Sequence, residues 1–362
     1  MFKRILVPLD GSKLAERALP VAARLVRASE GTLLLLRVAD LPIEYQPGKT
    51  PAQTYGEKAI EKGLDTALEY LESVAVSEEV ADLDIEAEAL VGAIAPTILS
   101  CAQSRQADMI VMCSHGYAGF KRWSMGSVTQ KVARQSPVPV LVVREDSIVP
   151  PETQPCAQHP LTALVTLDGS PLAEAAFAPA VQVMAALAAP AQAKLHLLEV
   201  VSVMPSYGKL RSQAAFDSEI REEEKQRAAA YLETATQRLQ ETISRESSIT
   251  ITSSVVVETD IAEGILNVAE QPEHVKSGDV PTCDLIAMAT HGRGGLPRWL
   301  MGSVTERVMH TAKLPLLIVR PQSIEAKPIY KRAATTKDQA VKAEIVEAGA
   351  VKIEVPPWTG LL

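Results

Sequence analysis

Two glycine- and hydroxyl-rich segments carry the residues best suited to chemistry. They are HGYAGFKRWSMGSVTQKV at 115–132 and HGRGGLPRWLMGSVTERV at 291–308, and 11 of their 18 positions are identical. In each, Gly-Ser-Val-Thr opens a predicted helix, whose free N–H groups and dipole favour an anion. Glycine lets the backbone approach a ligand, and hydroxyls add donors. The pattern therefore predicts phosphate binding by Gly116, Gly126, Ser127, Thr129, Gly292, Gly302, Ser303 and Thr305, with Arg122 and Arg298 nearby. The alternative is that Ser127 and Ser303 are ordinary N-caps after flexible loops.

A carboxylate follows the first predicted strand of each segment pair, Asp10 in LDGS at 9–12 and Asp168 in LDGS at 167–170. The simplest interpretation is a turn with a serine N-cap. A carboxylate at a strand end also accepts hydrogen bonds from ribose hydroxyls or holds a metal. The glycine-rich segments favour the second interpretation, in which the turn belongs to a ligand site.

A long part of the sequence is repeated. ILVPLDGSKLAERAL at 5–19 returns as ALVTLDGSPLAEAAF at 163–177, and VPVLVVR at 138–144 returns as LPLLIVR at 314–320. Since the order of these segments agrees in both copies, a domain has been duplicated. The sequence predicts domains at 1–146 and 160–322, a Pro-rich linker at 147–159, and a C-terminal tail at 323–362 that we do not assign.

Each copy alternates apolar, Val/Ile/Leu-rich strands with helices. Such strands are typical of a parallel sheet that is covered on both faces. We therefore predict an α/β fold of two tandem, doubly wound, Rossmann-like domains, each with a five-stranded parallel sheet and helices on both faces. In such sheets ligands bind beyond the carboxyl ends of the strands, where the strand order reverses.

Composition argues against several classes of partner. The formal net charge is −8, and no Lys/Arg run exceeds two residues, which is unlike a nucleic-acid-binding protein. The four cysteines lie far apart, without C-x-x-C or Cys/His ligand spacing, as expected in a reducing cytoplasm. The residues before Asp10 lack the apolar region of a signal peptide, and no apolar stretch is long enough to span a bilayer. We expect a cytoplasmic protein that binds neither nucleic acid nor membrane.

On these residues both copies resemble the universal stress protein family, and in particular its ATP-binding subgroup. The matching residues are VPLDGS at 7–12 and a loop in which nine residues separate Gly116 from Gly126-Ser127, and Gly292 from Gly302-Ser303. An earlier glycine of the family's loop is replaced by Cys113 and Ala289. The resemblance covers about residues 1–146 and 160–322, and it implies the tandem form of an adenine nucleotide alpha hydrolase-like fold.

The resemblance also implies a ligand, ATP, and a role for each matching position. Asp10 and Asp168 would meet the ribose or adenine, and Val38 and Val200 would pack on the base. The loop glycines, serines and threonines named above would hold the phosphates. A divalent ion such as Mg²⁺ would be carried by the phosphate oxygens, so no protein metal ligands are predicted. Gly92 ends the third strand of the first copy, where the second has Thr259, which favours the first copy as the nucleotide site.

The family further implies that VPVLVVR and LPLLIVR pair within the chain as a pseudo-dimer, which could associate further into a homodimer. The predicted function is an ATP-binding regulatory or protective module in the stress response. Two alternatives stay open: a slow ATPase or autophosphorylating protein, and a nucleotide-free dimerisation scaffold. His115 and His291 are candidate bases for the enzyme, but the sequence shows no second group to orient them. They are interpreted as loop anchors, and no catalytic residue is predicted.

Overall fold

The computed structural model describes residues 1–39, 57–114, 125–144, 160–202, 211–243, 249–274, 280–291 and 301–321. All of them lie in one compact unit, Met1–Gln322. The predicted linker at 147–159 and tail at 323–362 lie outside the described residues. Side chains are described for all but a few residues at helix ends, namely 57–58, 211–218 and 274.

Each half contributes five parallel strands to one sheet. The first half contains β1 (Arg4–Leu9), β2 (Thr32–Ala39), β3 (Asp84–Val91), β4 (Met109–Cys113) and β5 (Val140–Val143). The second half contains β6 (Leu161–Leu167), β7 (Ala193–Ser202), β8 (Ile249–Glu258), β9 (Leu285–Ala289) and β10 (Leu316–Val319). The strand order is β3-β2-β1-β4-β5-β10-β9-β6-β7-β8. The predicted α/β class is confirmed, with the two five-stranded sheets joined into a single mixed one.

Helices cover both faces of this sheet. The first half has α1 (Lys13–Glu16), α2 (Leu19–Ser29), α3 (Glu57–Ala75), α4 (Ile94–Ser104) and α5 (Ser127–Gln135). The second half has α6 (Phe177–Ala188), α7 (Arg211–Thr242), α8 (Ile261–Glu270) and α9 (Ser303–Thr311), with short 3₁₀ helices at Ala173–Ala176 and Pro272–His274. Two buried apolar clusters, one on each face, run through both halves. Alternate residues of each strand supply the two clusters, as Leu33 and Leu34 of β2 do.

The Ala/Leu-rich segment 13–28, whose pattern predicts one helix, forms two helices. Ser12 caps α1, which ends after one turn, and α2 begins at Leu19 with Pro20 in its first turn. Proline has no backbone N–H, so Pro20 cannot continue the hydrogen bonding of α1. It fits the first turn of a helix, so α2 begins there. The second half shows the same break, with the 3₁₀ helix at Ala173–Ala176 preceding α6.

The halves meet at the middle of the sheet, where β5 and β10 pair antiparallel with Leu141 opposite Leu317. Helices α5 and α9 follow the same seam on one face: Gln130 Nε2 lies 3.0 Å from His310 Nε2, and Arg134 bonds Glu306 at 2.6 Å. Since the last strand of each half is buried in this pairing, neither is an open sheet edge.

Two arginines cross the seam and reach the helix of the opposite half. Arg144 donates to the Met309 carbonyl at 2.6 Å, and Arg320 donates to the Gln135 carbonyl at 3.3 Å. Each carbonyl lies in the last turn of its helix, where a cation complements the helix dipole. Arg144 is only 7% exposed, and burial lowers its pKa to about 10, so it stays charged at neutral pH.

Candidate functional site

The described residues of each predicted site lie at or near the point where the strand order of that half reverses. In the first half β1 pairs with β2 on one side and with β4 on the other. In the second half β6 pairs with β7 and with β9 in the same way. Asp10 follows β1 and Asp168 follows β6, while α5 and α9 are the next helices along the chain after β4 and β9. Parallel strands bring these ends to one edge, so each half has a strand-end turn and a helix N-terminus at its switch point.

The Asp-Gly-Ser turns have the same geometry in both halves. Asp10 Oδ1 accepts from the Ser12 N–H at 2.9 Å, and Asp168 Oδ1 accepts from the Ser170 N–H at 3.0 Å. The middle glycines, Gly11 and Gly169, have φ of 88° and 76°, a region that disfavours other residues. Ser12 caps α1 through the Ala15 N–H. The simple turn interpretation thus describes the local structure, and the ligand role of the carboxylates stays a prediction.

The helix N-termini at the switch points carry no side-chain cap. The N-cap residues are Gly126 and Gly302, so Ser127 and Ser303 are the first helical residues and are exposed. The alternative of serine N-caps is therefore wrong, because the preceding glycine adopts the extended N-cap conformation. A Cβ on Gly302 would lie 3.2 Å from the Thr290 carbonyl oxygen, which is a tight contact. Because a glycine N-cap has no side chain, it does not bond the first-turn N–H groups of its helix, as is common at helix N-termini that bind anions.

Thr129 and Thr305 are positioned differently from the serines. Both are buried, and their hydroxyls donate to the Cys113 carbonyl at 3.0 Å and to the Ala289 carbonyl at 2.9 Å. A hydroxyl carries one proton, so each threonine ties its helix to the end of β4 or β9. To donate to a phosphate, each hydroxyl would have to give up its bond to the carbonyl. The phosphate contact of these threonines stays a prediction.

Val38 and Val200 lie beside the two carboxylates. Leu9 is paired with Arg37 and Leu167 with Glu199, so the next residues along, Asp10 and Val38 or Asp168 and Val200, are neighbours at the sheet edge. A Cβ on Gly264 of α8 would lie 2.8 Å from Val200 Cγ1, whereas in the first half a Cβ on Gly92 would lie 2.6 Å from Thr97 Oγ1. In the second half the small residue therefore lies on the helix, at Gly264. The strand register places Glu258, and not the predicted Thr259, at the position of Gly92.

Several predicted residues lie outside the described part of the chain, namely His115, Gly116, Arg122, Gly292 and Arg298. His291 is described: its Nδ1 lies 2.9 Å from Thr290 Oγ1. A second group therefore does orient this histidine, which the sequence did not indicate. Among the described residues, no group of three or more His, Cys, Asp or Glu side chains is placed to hold a metal ion.

A tyrosine–glutamate pair beside each turn was missed by the sequence interpretation. Tyr70 of α3 donates to Glu16 Oε1 at 3.0 Å, and Tyr231 of α7 donates to Glu174 Oε1 at 3.0 Å. Burial, followed by the glutamate partner, raises the pKa of both tyrosines well above the ordinary value. The tyrosines lie in the stretch where the copies have diverged, so no repeated motif marked them.

A cleft of about 290 Å³ opens on the sheet face of the first half, away from the switch point, beside Leu34, Glu86, Glu88 and Arg105. Glu86 is paired with Arg4 and Glu88 with Arg105. At the position of Leu34 the second half has His196, which is 1% exposed. Its two ring nitrogens lie 2.8 Å from Thr252 and Ser254, which replace the two glutamates.

We expect His196 to make the stability of the protein pH-dependent. Burial lowers its pKa to about 4 from 6.5, so the folded protein favours the neutral imidazole. Its contribution is complete above pH 6.5, the unfolded value, and is lost as the pH falls through 4, by at most about 3 kcal/mol. Urea unfolding between pH 7 and 4 should show a shallower decline in His196→Leu, which carries the residue of the first half. Equal declines in the two proteins would contradict this assignment.

The fold and the two turns define a tandem, doubly wound α/β protein. The model of the universal stress protein family matches residues 1–144 and 162–320. Because these segments make up most of the chain, it belongs to the universal stress protein family, in the tandem form. Among the described residues, none of the helices has the length and apolar character needed to cross a membrane.

Some relatives match most of the chain, and others match only one half. A universal stress protein of Mycobacterium tuberculosis is 25% identical over 322 residues, covering 87% of this chain and 96% of that protein. One of Thermus aquaticus is 35% identical over 147 residues, covering 40% of this chain and all of that protein. The crystal structure of a universal stress protein from Archaeoglobus fulgidus superposes with a TM-score of 0.52 at 19% identity, covering 88% of this chain and 96% of that one. The last similarity supports the fold.

Proposed function

We propose that this tandem universal stress protein binds an adenine nucleotide, ATP with Mg²⁺, and acts as a cytoplasmic regulatory or protective module in the stress response. The nucleotide site lies at the switch point of one or both domains, 1–146 and 160–322. One observation supports this most: in both halves an Asp-Gly-Ser turn and a helix N-terminus without a side-chain cap come to the same sheet edge. A turn alone does not require a helix N-terminus beside it, and this combination occurs in both halves.

The residues present fit a nucleotide. The half-buried Val38 and the buried Val200 offer apolar surface to a base, beside carboxylates that accept ribose hydroxyls. The first-turn N–H groups of α5 and α9 would receive phosphates, with Ser127 and Ser303 as exposed hydroxyl donors. Bound Mg²⁺ would neutralise phosphate charge. The nucleotide itself would carry the ion, since it has hard oxygen ligands of its own.

The two domains act together in this proposal as a pseudo-dimer within the chain. The antiparallel β5–β10 pairing and the contacts of α5 with α9 support it. The ion pair of Arg134 with Glu306 has its counterpart in the Gln130–His310 contact, as a two-fold relation between the halves requires. Further association into a homodimer would use a surface other than this seam.

The first test is to denature the purified chain and identify any released nucleotide by chromatography. The stripped protein is then titrated with MgATP by calorimetry. We expect binding that Ser127→Asp removes from the first half and Ser303→Asp from the second, because a carboxylate at an exposed first helical position repels phosphate. The double variant should bind at least 100-fold more weakly than the wild type.

Ser104→Asp is the matched control. Ser104 is exposed at the end of α4, and its neighbour Arg105 contacts Arg4 at the start of β1, which is the end of the strand opposite to the switch point. It should leave binding unchanged. No release and no binding at millimolar MgATP would refute the nucleotide site and leave the dimerisation scaffold. Turnover of MgATP that is lost in His291→Gln would favour the slow ATPase, for which the Thr290–His291 contact is the supporting observation.

A further inference from the structure

The two switch points differ in the charge of one strand position. Arg37 is the partner of Leu9, and Glu199 is the partner of Leu167, so both residues occupy the same position immediately before the neighbour of the turn aspartate. A cation in the first half therefore corresponds to a carboxylate in the second. The difference lies within an otherwise apolar strand end in both halves.

The Arg37 guanidinium lies against the turn. A Cβ built on Gly11 would be 2.9 Å from Arg37 Nη2, and Arg37 Cζ lies 4.5 Å from the centre of the Tyr70 ring. The ring face attracts the cation and holds it beside the backbone of the Asp-Gly-Ser turn. A positive charge is thus fixed at the edge of the first proposed nucleotide site.

Glu199 is only 5% exposed and is close enough to the equivalent tyrosine, Tyr231, to act on it electrostatically. After burial and Glu174, its carboxylate contributes to the raised pKa of Tyr231, whereas Arg37 acts on Tyr70 in the opposite sense. Even a protonated Glu199 would leave the second site without the cation of the first.

One ion pair of described residues flanks each turn. Lys13 bonds Glu16 at 2.6 Å in the first half, and Arg238 bonds Glu174 at 2.8 Å in the second. Each half therefore has one ion pair and one turn aspartate in common. Among the described residues next to the turns, the sites differ by Arg37 against Glu199. Farther along the rim of the second half, Glu258 packs with Val200 against Gly264 where the first half has Gly92, which adds a further carboxylate to the second half.

We propose that this charge reversal makes the halves unequal, so that the first binds nucleoside polyphosphates at least tenfold more tightly than the second. The inference rests on the proposed function, because it concerns the same two sites. ATP carries several negative charges, so exchanging a nearby cation for a carboxylate changes its binding strongly. Uncharged adenosine would feel little of this difference. Arg37 and Glu199 are thus the residues that set which half takes a highly charged ligand.

Calorimetry on the full chain tests this, with Ser303→Asp reporting the first site and Ser127→Asp the second. We expect MgATP to bind the first site at least tenfold more tightly. Arg37→Glu in the Ser303→Asp protein should lower that affinity about tenfold, and Arg37→Gln by less. Glu199→Gln in the Ser127→Asp protein should raise the affinity of the second site. Adenosine affinity should change less than twofold in each variant, and the MgATP effects should shrink as NaCl is added.

The outcomes separate the two proposals. If neither site binds MgATP or adenosine, the nucleotide function itself fails. If MgATP binds but the sites are equal, or the second is tighter, the charge reversal does not set their order and this inference is wrong. Equal losses of adenosine and MgATP in Arg37→Gln would show a structural role and would also overturn it. Circular dichroism of each variant establishes that it is folded.

Discussion

Arg144→Ala is expected to lower the free energy of unfolding by about 3 kcal/mol. The buried guanidinium donates to Met309 across the seam between the halves, so its loss leaves a buried carbonyl of the last turn of α9 without that donor. The side-chain stem also fills space that alanine leaves empty. Urea unfolding followed by circular dichroism measures the change.

Arg320→Ala is the matched control from the other half. Its bond to Gln135 is longer, at 3.3 Å, and Arg320 is partly exposed, so we expect a loss below about 1 kcal/mol. Arg144→Met should fall between the two, since it restores volume without the charge. A loss below about 1 kcal/mol in Arg144→Ala as well would mean that the buried arginine does not stabilise the seam.

Gly31→Ala is expected to cost about 3 kcal/mol, although one methyl group at a helix–strand connection is usually harmless. A Cβ at Gly31 would lie 2.3 Å from the Lys3 carbonyl oxygen, and that oxygen already accepts from the Thr32 N–H at 2.7 Å. The obstacle is backbone at the start of β1, so relief requires the strand to move. Thermal and urea unfolding would both report the loss.

The neighbouring residue provides the opposite control. Glu30 closes α2 in the left-handed region, with φ of 49°, where glycine is favoured. Glu30→Gly should therefore stabilise the protein by about 0.5–1 kcal/mol. If Gly31→Ala were as stable as the wild type, the close approach of Lys3 and Gly31 would have to be wrong.

Much of the fold follows from the strands themselves. TLLLLRV and MIVMC are so uniformly apolar that only burial on both faces accounts for them, and β2 and β4 indeed lie inside the sheet. The break between α1 and α2 was not predicted, because the Ala/Leu pattern continues through Arg17 and Ala18. Pro20 was the available signal, since it favours the first turn of a helix.

The site was predictable in outline only. The Gly-Ser pair located the helix start but left open which residue caps it, because both residue types are common N-caps. The identity of the N-cap residue depended on the backbone conformation of Gly126 and Gly302. Arg37 and Glu199 had a visible signal, a single charge near the end of an apolar strand in both copies. Their interactions with Tyr70 and Tyr231 had no signal in the sequence. The two tyrosines lie on helices in diverged segments of the copies, and these helices can be aligned only in three dimensions.

The antiparallel pairing at the centre of the sheet has a directional consequence. Strands of the first half all run one way and those of the second half run the other way, so the two switch points open at opposite rims of one continuous platform. A partner protein that bound at one switch point would leave the other switch point accessible. Under the proposed function, two different partners could therefore bind one chain at the same time, one at each nucleotide site. The two halves can also diverge in sequence, which two identical subunits cannot.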